Sequence, residues 1–183
     1  MNLEELRWDC AIKQKKGLHF ILASVILWCA ISVIHMTKLP IETKNLLTFC
    51  FSTPLLPLAF MISKVIKVEF SDKKNPLNNL GFLLSMNQML YLLIVMWVYA
   101  AEPGKMVMVL AMVFGAHLLP FGWLYKSKSY SVMSVIITMV ALVLGILFQP
   151  YVLAMTMVVF EIIFSVLLVL EVKSLNRECL ELA

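Results

Sequence analysis

Runs of apolar residues, each long enough to cross a bilayer as a helix, dominate the chain. A span needs about 20 mostly apolar residues to cross a hydrocarbon core of roughly 30 Å. Six stretches meet this requirement, and short polar segments separate them: 17–36, 45–66, 79–100, 105–125, 130–149 and 151–172. We therefore expect an all-α polytopic membrane protein, a bundle of six transmembrane helices with short loops that forms one domain over residues 1–183.

The two ends of the chain carry shorter and more polar helical patterns. Asn2 followed by Glu5 has the spacing of a helix-capping box. Apolar positions recur at helical intervals in both stretches: Leu3, Leu6 and Cys10 in the first, Val172, Leu175, Cys179 and Leu182 in the second. These patterns predict amphipathic terminal helices, which lie on the membrane surface, extend a span, or pack on each other or on a partner.

Prolines lie inside the second predicted span and between the fifth and the sixth. Pro54 and Pro57 predict a kink or break in the second span, since proline removes a backbone donor. Pro150 predicts a tight turn between the fifth and sixth spans. The segment 55–60 also resembles 118–123, because both contain Leu-Leu-Pro, which raises the question of an internal repeat.

Composition and charge agree with a membrane protein and add an orientation. The chain is 62% hydrophobic and 14% charged, whereas soluble domains have roughly 45–50% apolar and about 25% charged residues. With the N-terminus on one side of the membrane, every lysine and arginine except Lys38, Lys44 and Lys105 falls in a segment on that same side. In membrane proteins with short loops, basic residues concentrate in the loops on the cytoplasmic side of the membrane. Both termini are therefore expected in the cytoplasm, and the net charge of +4 indicates the inner leaflet rather than nucleic acid.

Small residues indicate which helix faces point into the bundle, because they let backbones approach closely. The clearest stripe is in the fifth span: Ser131, Ser134, Thr138, Ala141 and Gly145. In the sixth span Ala154, Glu161 and Ser165 share one face. Glu161 is the only charged residue deep in any span, where a charge costs from about 2.5 kcal/mol upward. One hypothesis is that Glu161 is an interior proton or cation site, a substrate contact or a metal ligand. The other is that it is a structural glutamate whose hydrogen bonds hold neighbouring helices together.

Four further polar residues accompany Glu161 as candidates for a ligand-binding pocket at or below the membrane midplane. They are Asn87 and Gln88 in the third span, His117 in the fourth and Thr138 in the fifth. Each is also of a type that simply bonds across membrane helices. No zinc spacing, P-loop or nucleophile-elbow pattern occurs, so no metal, cofactor or catalytic residue is predicted, and an enzyme is the less favoured class.

The segment from Gly115-Ala116-His117 to Tyr125, together with the six-span layout, resembles an uncharacterised family of small six-span bacterial membrane proteins. That resemblance implies a bacterial plasma membrane and assigns no activity. Length and span count also resemble the substrate-binding subunits of energy-coupling-factor vitamin transporters. The outer loops here are minimal, and Ala23 and Ala30 do not make the close spacing of that family's contact motif.

Three functions remain open from the sequence. The first is a small transporter or ligand-binding membrane subunit with a polar pocket around Glu161. The second is an intramembrane enzyme acting on lipid, with His117 and Glu161 as acid and base. The third is a non-catalytic partner or assembly protein. The expected partners are the lipid bilayer, a small-molecule or ion ligand, and either a second copy or another membrane protein.

Overall fold

A computed structural model describes residues 2–68 and 75–181, and all regular secondary structure in these segments is helical. The helices are α1 Leu3–Lys13, α2 Leu18–Met36, α3 Ile41–Ser52, α4 Leu55–Val65, α5 Leu77–Ala101, α6 Met106–Leu124, α7 Lys128–Leu147 and α8 Pro150–Glu181. Short 3-10 turns, Lys15–Gly17 and Pro103–Lys105, lead into α2 and α6. The predicted all-α class is confirmed.

Five helical segments have the length and apolar composition needed to cross a membrane: Lys15–Met36, Leu77–Ala101, Pro103–Leu124, Lys128–Leu147 and Pro150–Leu175. Each corresponds to a predicted span. The predicted span 45–66 is broken, as its prolines predicted, because α3 and α4 meet at a bend of 41°. Pro54 stands at this break and has no amide hydrogen to continue the helical ladder. The long apolar helices are those of a multi-pass membrane protein.

The bent pair α3–α4 runs the length of the bundle. At one end, the Asn45 side chain donates to the carbonyl of Pro103, 2.8 Å away. At the other, Lys15 Nζ donates to the carbonyl of Ile66 at 2.5 Å. We call the end with α1 and the Lys15–Gly17 turn the basic end, and the end with the Pro103–Lys105 turn the distal end. Because its two ends are fixed at opposite ends of the bundle, the pair has the reach of one broken span.

The closest helix pair is α6 against α7. A Cβ built on Gly115 would lie 2.6 Å from Thr138 Oγ1, and one on Gly122 would overlap Ser131 Oγ. The small-residue stripe of the fifth span therefore lets these two backbones approach, as the sequence indicated. Gly145 continues the contact and meets the side chain of Met108.

Helix α5 lies at the edge of the bundle. In the most apolar stretch of α5 only 11% of the residues are buried, whereas in the corresponding stretch of α2 the buried share is 61%. Leu77, Val95 and Val98 are its buried residues, and Gly81 faces Leu124 of α6. Most of its other large apolar side chains are exposed, so α5 packs on the bundle through one narrow face.

Both terminal helices form. In α1 the Asn2 side chain accepts from Glu5 N at 2.9 Å and Glu5 accepts from Asn2 N at 3.0 Å, which is the predicted capping box. Cys10 is buried as expected, whereas Leu3 is exposed, because the first turn of α1 projects beyond the bundle. The C-terminal pattern extends α8 without a break. The side chain of Cys179 and all of Leu182 lie outside the described residues.

The two Leu-Leu-Pro segments occupy different places in their helices. Pro57 lies in the first turn of α4, where no amide hydrogen is needed. Pro120 lies inside α6, one turn before its end. The two prolines therefore do not occupy equivalent positions in their helices.

Candidate functional site

Glu161 lies near the middle of the α8 span, and its side chain is completely buried. Helix α8 runs antiparallel to α2. Among the described residues, Ser24 of α2 contacts Glu161, and Lys16, in the turn that leads into α2, contacts Glu171. Glu161 therefore faces the interior, as the sequence predicted, and its partner is a serine on the first span.

The contacts of Ser24 restrict the state of the carboxyl. Ser24 Oγ carries one hydrogen and lies 2.7 Å from the carbonyl oxygen of Ile21, and it also lies within hydrogen-bond distance of Glu161 Oε2. A carbonyl oxygen can only accept. Ser24 can make two separate two-centre hydrogen bonds here only if Glu161 donates, that is, if its carboxyl carries a proton. If the carboxyl is ionised, Ser24 must donate to Glu161 and release Ile21.

Several buried oxygens near this contact are left without a hydrogen-bond partner in the described part of the chain. One is the second carboxyl oxygen of Glu161, Oε1. Another is Ser165 Oγ, one helical turn away on the same face of α8, and a third is Ser32 Oγ, two turns beyond Ser24 on α2. An unsatisfied buried polar group costs roughly 1–3 kcal/mol. The α2–α8 interface thus holds acceptors that a proton donor, a cation or a water could satisfy.

A second polar contact between α2 and α8 lies about 12–15 Å nearer the basic end. Lys16 Nζ donates to Glu171 Oε2 at 2.8 Å, and Lys16 is nearly buried. The other oxygen of Glu171 accepts from the backbone and the hydroxyl of Ser129, at 2.9 and 2.6 Å. Both oxygens of Glu171 accept hydrogen bonds here, which contrasts with the incomplete bonding around Glu161.

Aromatic rings fill the space between these two polar contacts. Tyr130 of α7 meets Phe164 of α8 edge-on, with ring centroids 4.8 Å apart, and Phe121 stacks on Tyr125 at 5.9 Å. Tyr125 is buried and donates to Gln14 Oε1 at 2.6 Å, and burial raises its pKa well above the usual range. Tyr125 is buried because α1 and the chain leading into α2 cover this end of α6.

Two predicted pocket residues take part in packing between or within helices. Thr138 lies in the α6–α7 contact, where it faces Gly115 and its hydroxyl donates to the carbonyl of Ser134 at 2.8 Å. His117 is half-buried, and its ring packs edge-on against Phe121 on the same helix, 5.1 Å away. No hydrogen bond in the described ranges joins either residue to Glu161.

The other two predicted residues lie on α5. Asn87 Nδ2 donates to Tyr91 OH at 2.8 Å, a bond within the exposed part of the helix. Gln88 is half-buried, on the side of α5 that carries Gly81 and Val95. Over the residues that the structure covers, no hydrogen bond links Asn87 or Gln88 to Glu161. The structure thus joins Glu161 to Ser24 of the first span, which was not among the predicted site residues.

The distal end contains a polar cluster that sequence reasoning did not select. His35 Nε2 lies 3.1 Å from Thr48 Oγ1, and Lys44 Nζ donates to the His35 carbonyl at 3.3 Å. Asn45 is fully buried, with its Nδ2 on Pro103 and its Oδ1 without a partner in residues 2–68 and 75–181. The signal that could have found it is the polar run 42–45, followed by Thr48, at the start of an otherwise apolar span.

Metal binding finds no support in the geometry. Within the described ranges, no three His, Cys, Asp or Glu side chains approach closely enough to hold an ion. The carboxyl of Glu161 acts alone, so the chemistry open to it is to exchange a proton or to bind a single positive charge.

A family model described as a family of unknown function (DUF7010) matches residues 3–171. The chain belongs to this family. The match covers the chain from α1 to Glu171, so both contacts between α2 and α8 lie inside the DUF7010 region. The expectation of an uncharacterised family is confirmed, and the DUF7010 description assigns no activity. No curated protein and no solved structure matches the chain.

Proposed function

We propose that this multi-pass membrane protein is a small transporter in which Glu161 and Ser24 bind and release a proton or another monovalent cation. The observation that supports this most directly is the incomplete bonding of a fully buried carboxyl. Glu161 has one oxygen on Ser24 and the other without a partner among the described residues. One carboxyl supplies one negative charge, so the matching cargo is singly charged.

Exchange of the Ser24 hydrogen bond supplies a way for the site to respond to its cargo. With the proton bound, Glu161 donates to Ser24 and Ser24 donates to Ile21. Without it, Ser24 must turn to the carboxylate and release the Ile21 carbonyl. The Ile21 carbonyl keeps its helical bond within α2 and gains or loses only the Ser24 hydrogen bond, which couples occupancy of the site to the Ser24 side chain of the first span.

The proposal includes the arrangement in the membrane. The bent pair α3–α4 serves as one broken span, which makes six crossings in a bacterial plasma membrane. The basic end faces the cytoplasm, as the distribution of lysine and arginine indicates. Broken helices beside midplane charges recur in transporters, where the freed backbone groups line the path.

The experiment is a cation-exchange assay in proteoliposomes with a pH-sensitive dye inside and an imposed pH gradient. Addition of sodium, potassium or a monovalent organic ammonium ion outside should collapse the gradient with the unchanged protein. Glu161→Gln should abolish the collapse, and Glu42→Gln, at an exposed carboxyl on α3, should preserve it. Gradient collapse that is equal in empty vesicles, or unaffected by Glu161→Gln, overturns the proposal.

The lipid-acting enzyme receives no support from the site. Its acid and base would have to reach each other directly or through one water. His117 instead packs on Phe121, and no hydrogen bond in the described ranges joins it to Glu161.

A further inference from the structure

The side chain of Tyr130 lies between the two buried carboxyl contacts of α8. Its ring meets Phe164, three residues after Glu161, edge-on with the ring centroids 4.8 Å apart. Its hydroxyl lies against the turn that leads into α2, where it would be 2.9 Å from a Cβ on Gly17, the residue after Lys16. The whole side chain is buried. This phenol therefore extends from the level of Phe164 to the level of the Lys16 contact.

The Tyr130 hydroxyl is near both acidic groups of α8. The carboxyls of Glu161 and Glu171 both interact electrostatically with it. These two glutamates are separated by about 15 Å along the helix axis, which is too far for one to pass a proton directly to the other. The Ser165 hydroxyl, one turn from Glu161 toward Glu171, is also buried and has no partner in the described part of the chain, so it can extend the hydrogen bonds of either neighbour.

Glu171 lies where a proton can reach water. Glu161 is near the middle of its span, and a distance of about 15 Å from there leads to the edge of a hydrocarbon core roughly 30 Å thick. The Glu171 side chain is 22% exposed, whereas Glu161 is completely buried. Hydrogen bonds from Lys16 and Ser129 hold the Glu171 carboxylate in this place.

The groups on the two sides of Glu161 differ in what they can do with a proton. A phenol hydroxyl both donates and accepts, so it can take up one proton as it releases its own. Toward the distal end, the next turn of α2 after Ser24 carries Trp28, which is buried and packs edge-on against Phe114 at 6.2 Å. An indole N–H only donates. A proton can therefore be relayed through a tyrosine toward the basic end, but not through the Trp28 side chain toward the distal end.

We propose that Tyr130 passes protons between Glu161 and Glu171, which makes the proton the species exchanged with the basic end. This inference rests on the proposed function and names its cargo on that side. The Glu161 carboxyl gives its proton to the phenol oxygen while the phenol proton moves to the Glu171 carboxylate. Glu161 is then ionised, Glu171 is neutral and Tyr130 is unchanged. Glu171 releases the proton to water at the basic end and pairs with Lys16 again.

Proton flux in proteoliposomes tests the relay, with the pH-sensitive dye and imposed gradient described above. Tyr130→Phe keeps the ring that packs on Phe164 and removes only the hydroxyl. It should slow the gradient collapse on the order of 100-fold, the low end of what a positioned proton-transfer group contributes. Tyr125→Phe is the matched control, because it removes a hydroxyl from the same aromatic cluster, with ring centroids 5.8 Å away, and should leave the rate unchanged.

The outcomes of this assay separate the relay from the site that it serves. If Glu161→Gln abolishes the collapse while Tyr130→Phe leaves it unchanged, or if both phenylalanine variants lose it equally, the relay is overturned and the Glu161 site stands. A collapse that Glu161→Gln does not affect contradicts the proposed function, and the inference falls with it.

Infrared spectroscopy in deuterated buffer follows the same proton without any cargo. The carbonyl stretch of protonated Glu161, identified by its absence in Glu161→Gln, shifts as deuterium replaces the proton. Tyr130→Phe should slow this exchange on the order of 100-fold, and Tyr125→Phe should not. Exchange at the unchanged rate in Tyr130→Phe, with the helical content preserved, overturns the relay. A spectrum with no such band also overturns it, because Glu161 then carries no proton.

Discussion

Ser24 of α2 and Glu161 of α8 share a hydrogen bond at the centre of the bundle, and the second oxygen of that carboxyl has no partner in the described part of the chain. The Ile21 carbonyl, 2.7 Å from Ser24 Oγ, makes the arrangement complete only when Glu161 carries a proton. This relationship leads to a chemical prediction that needs no knowledge of the cargo.

A hydrophobic carbodiimide should modify Glu161 selectively. A protonated carboxyl adds across one C=N bond of the reagent, whereas an ionised carboxylate in water does not accumulate this adduct. Mass spectrometry of the labelled protein should place the adduct on Glu161 and find none on exposed Glu42 or Glu102. Glu161→Gln removes the label. An adduct confined to the exposed carboxyls would show that Glu161 is ionised or inaccessible.

The Lys16–Glu171 pair should contribute strongly to stability. Removing one member of a largely buried pair leaves the other charge without compensation, which costs on the order of 3 kcal/mol. Lys16→Met and Glu171→Gln should each lower the free energy of unfolding in detergent, and the double variant should lose less than the sum of the two. Strict additivity in this cycle would mean that the two side chains do not interact.

Gly17 should tolerate a side chain poorly. Its φ is +69°, and a Cβ there would lie 2.9 Å from Tyr130 OH and 3.0 Å from a ring carbon of Tyr125. The left-handed conformation alone costs an alanine roughly 1–2 kcal/mol. Gly17→Ala should therefore lower the thermal unfolding midpoint, while Gly104→Ala, with open space around it, should not. Equal midpoints for the two variants would contradict the close approach.

Cys10 should resist alkylation in the folded protein. Burial, assisted by the charge of Asp9, raises the pKa of this thiol to about 12, which removes nearly all thiolate at pH 8. In a variant whose other cysteines are alanine, maleimide labelling should be slow in mild detergent and fast in denaturant. Rapid labelling of the folded protein would show that α1 does not stay docked.

The same pKa shift gives a direction for the effect of alkaline pH. Above about pH 9 the unfolded chain releases the thiol proton, whereas the folded chain keeps it until about pH 12. The free energy of unfolding should therefore fall as pH rises through this window. Cys10→Ala should remove this component of the pH dependence, which chemical denaturation at several pH values can measure.

The sequence by itself determined the class of this protein and most of its helices. Twenty-residue apolar runs have one stable arrangement in lipid, so the ends of α2, α5, α6 and α7 fall within a few residues of the predicted spans. The capping box at Asn2 and the turn at Pro150 were also predictable, because both depend on residues close together in the chain. The inward face of Glu161 followed from the small residues around it.

Only the tertiary structure decided which polar groups meet. The pairing of Ser24 with Glu161 depends on the register of α2 against α8, and no local pattern encodes that register. Asn87 has the depth expected of a pocket residue, yet its half-buried side chain bonds to Tyr91 of the same helix rather than to Glu161. Periodicity gives the faces of a helix, whereas the choice of which face meets which neighbour is a property of all the helices packed together.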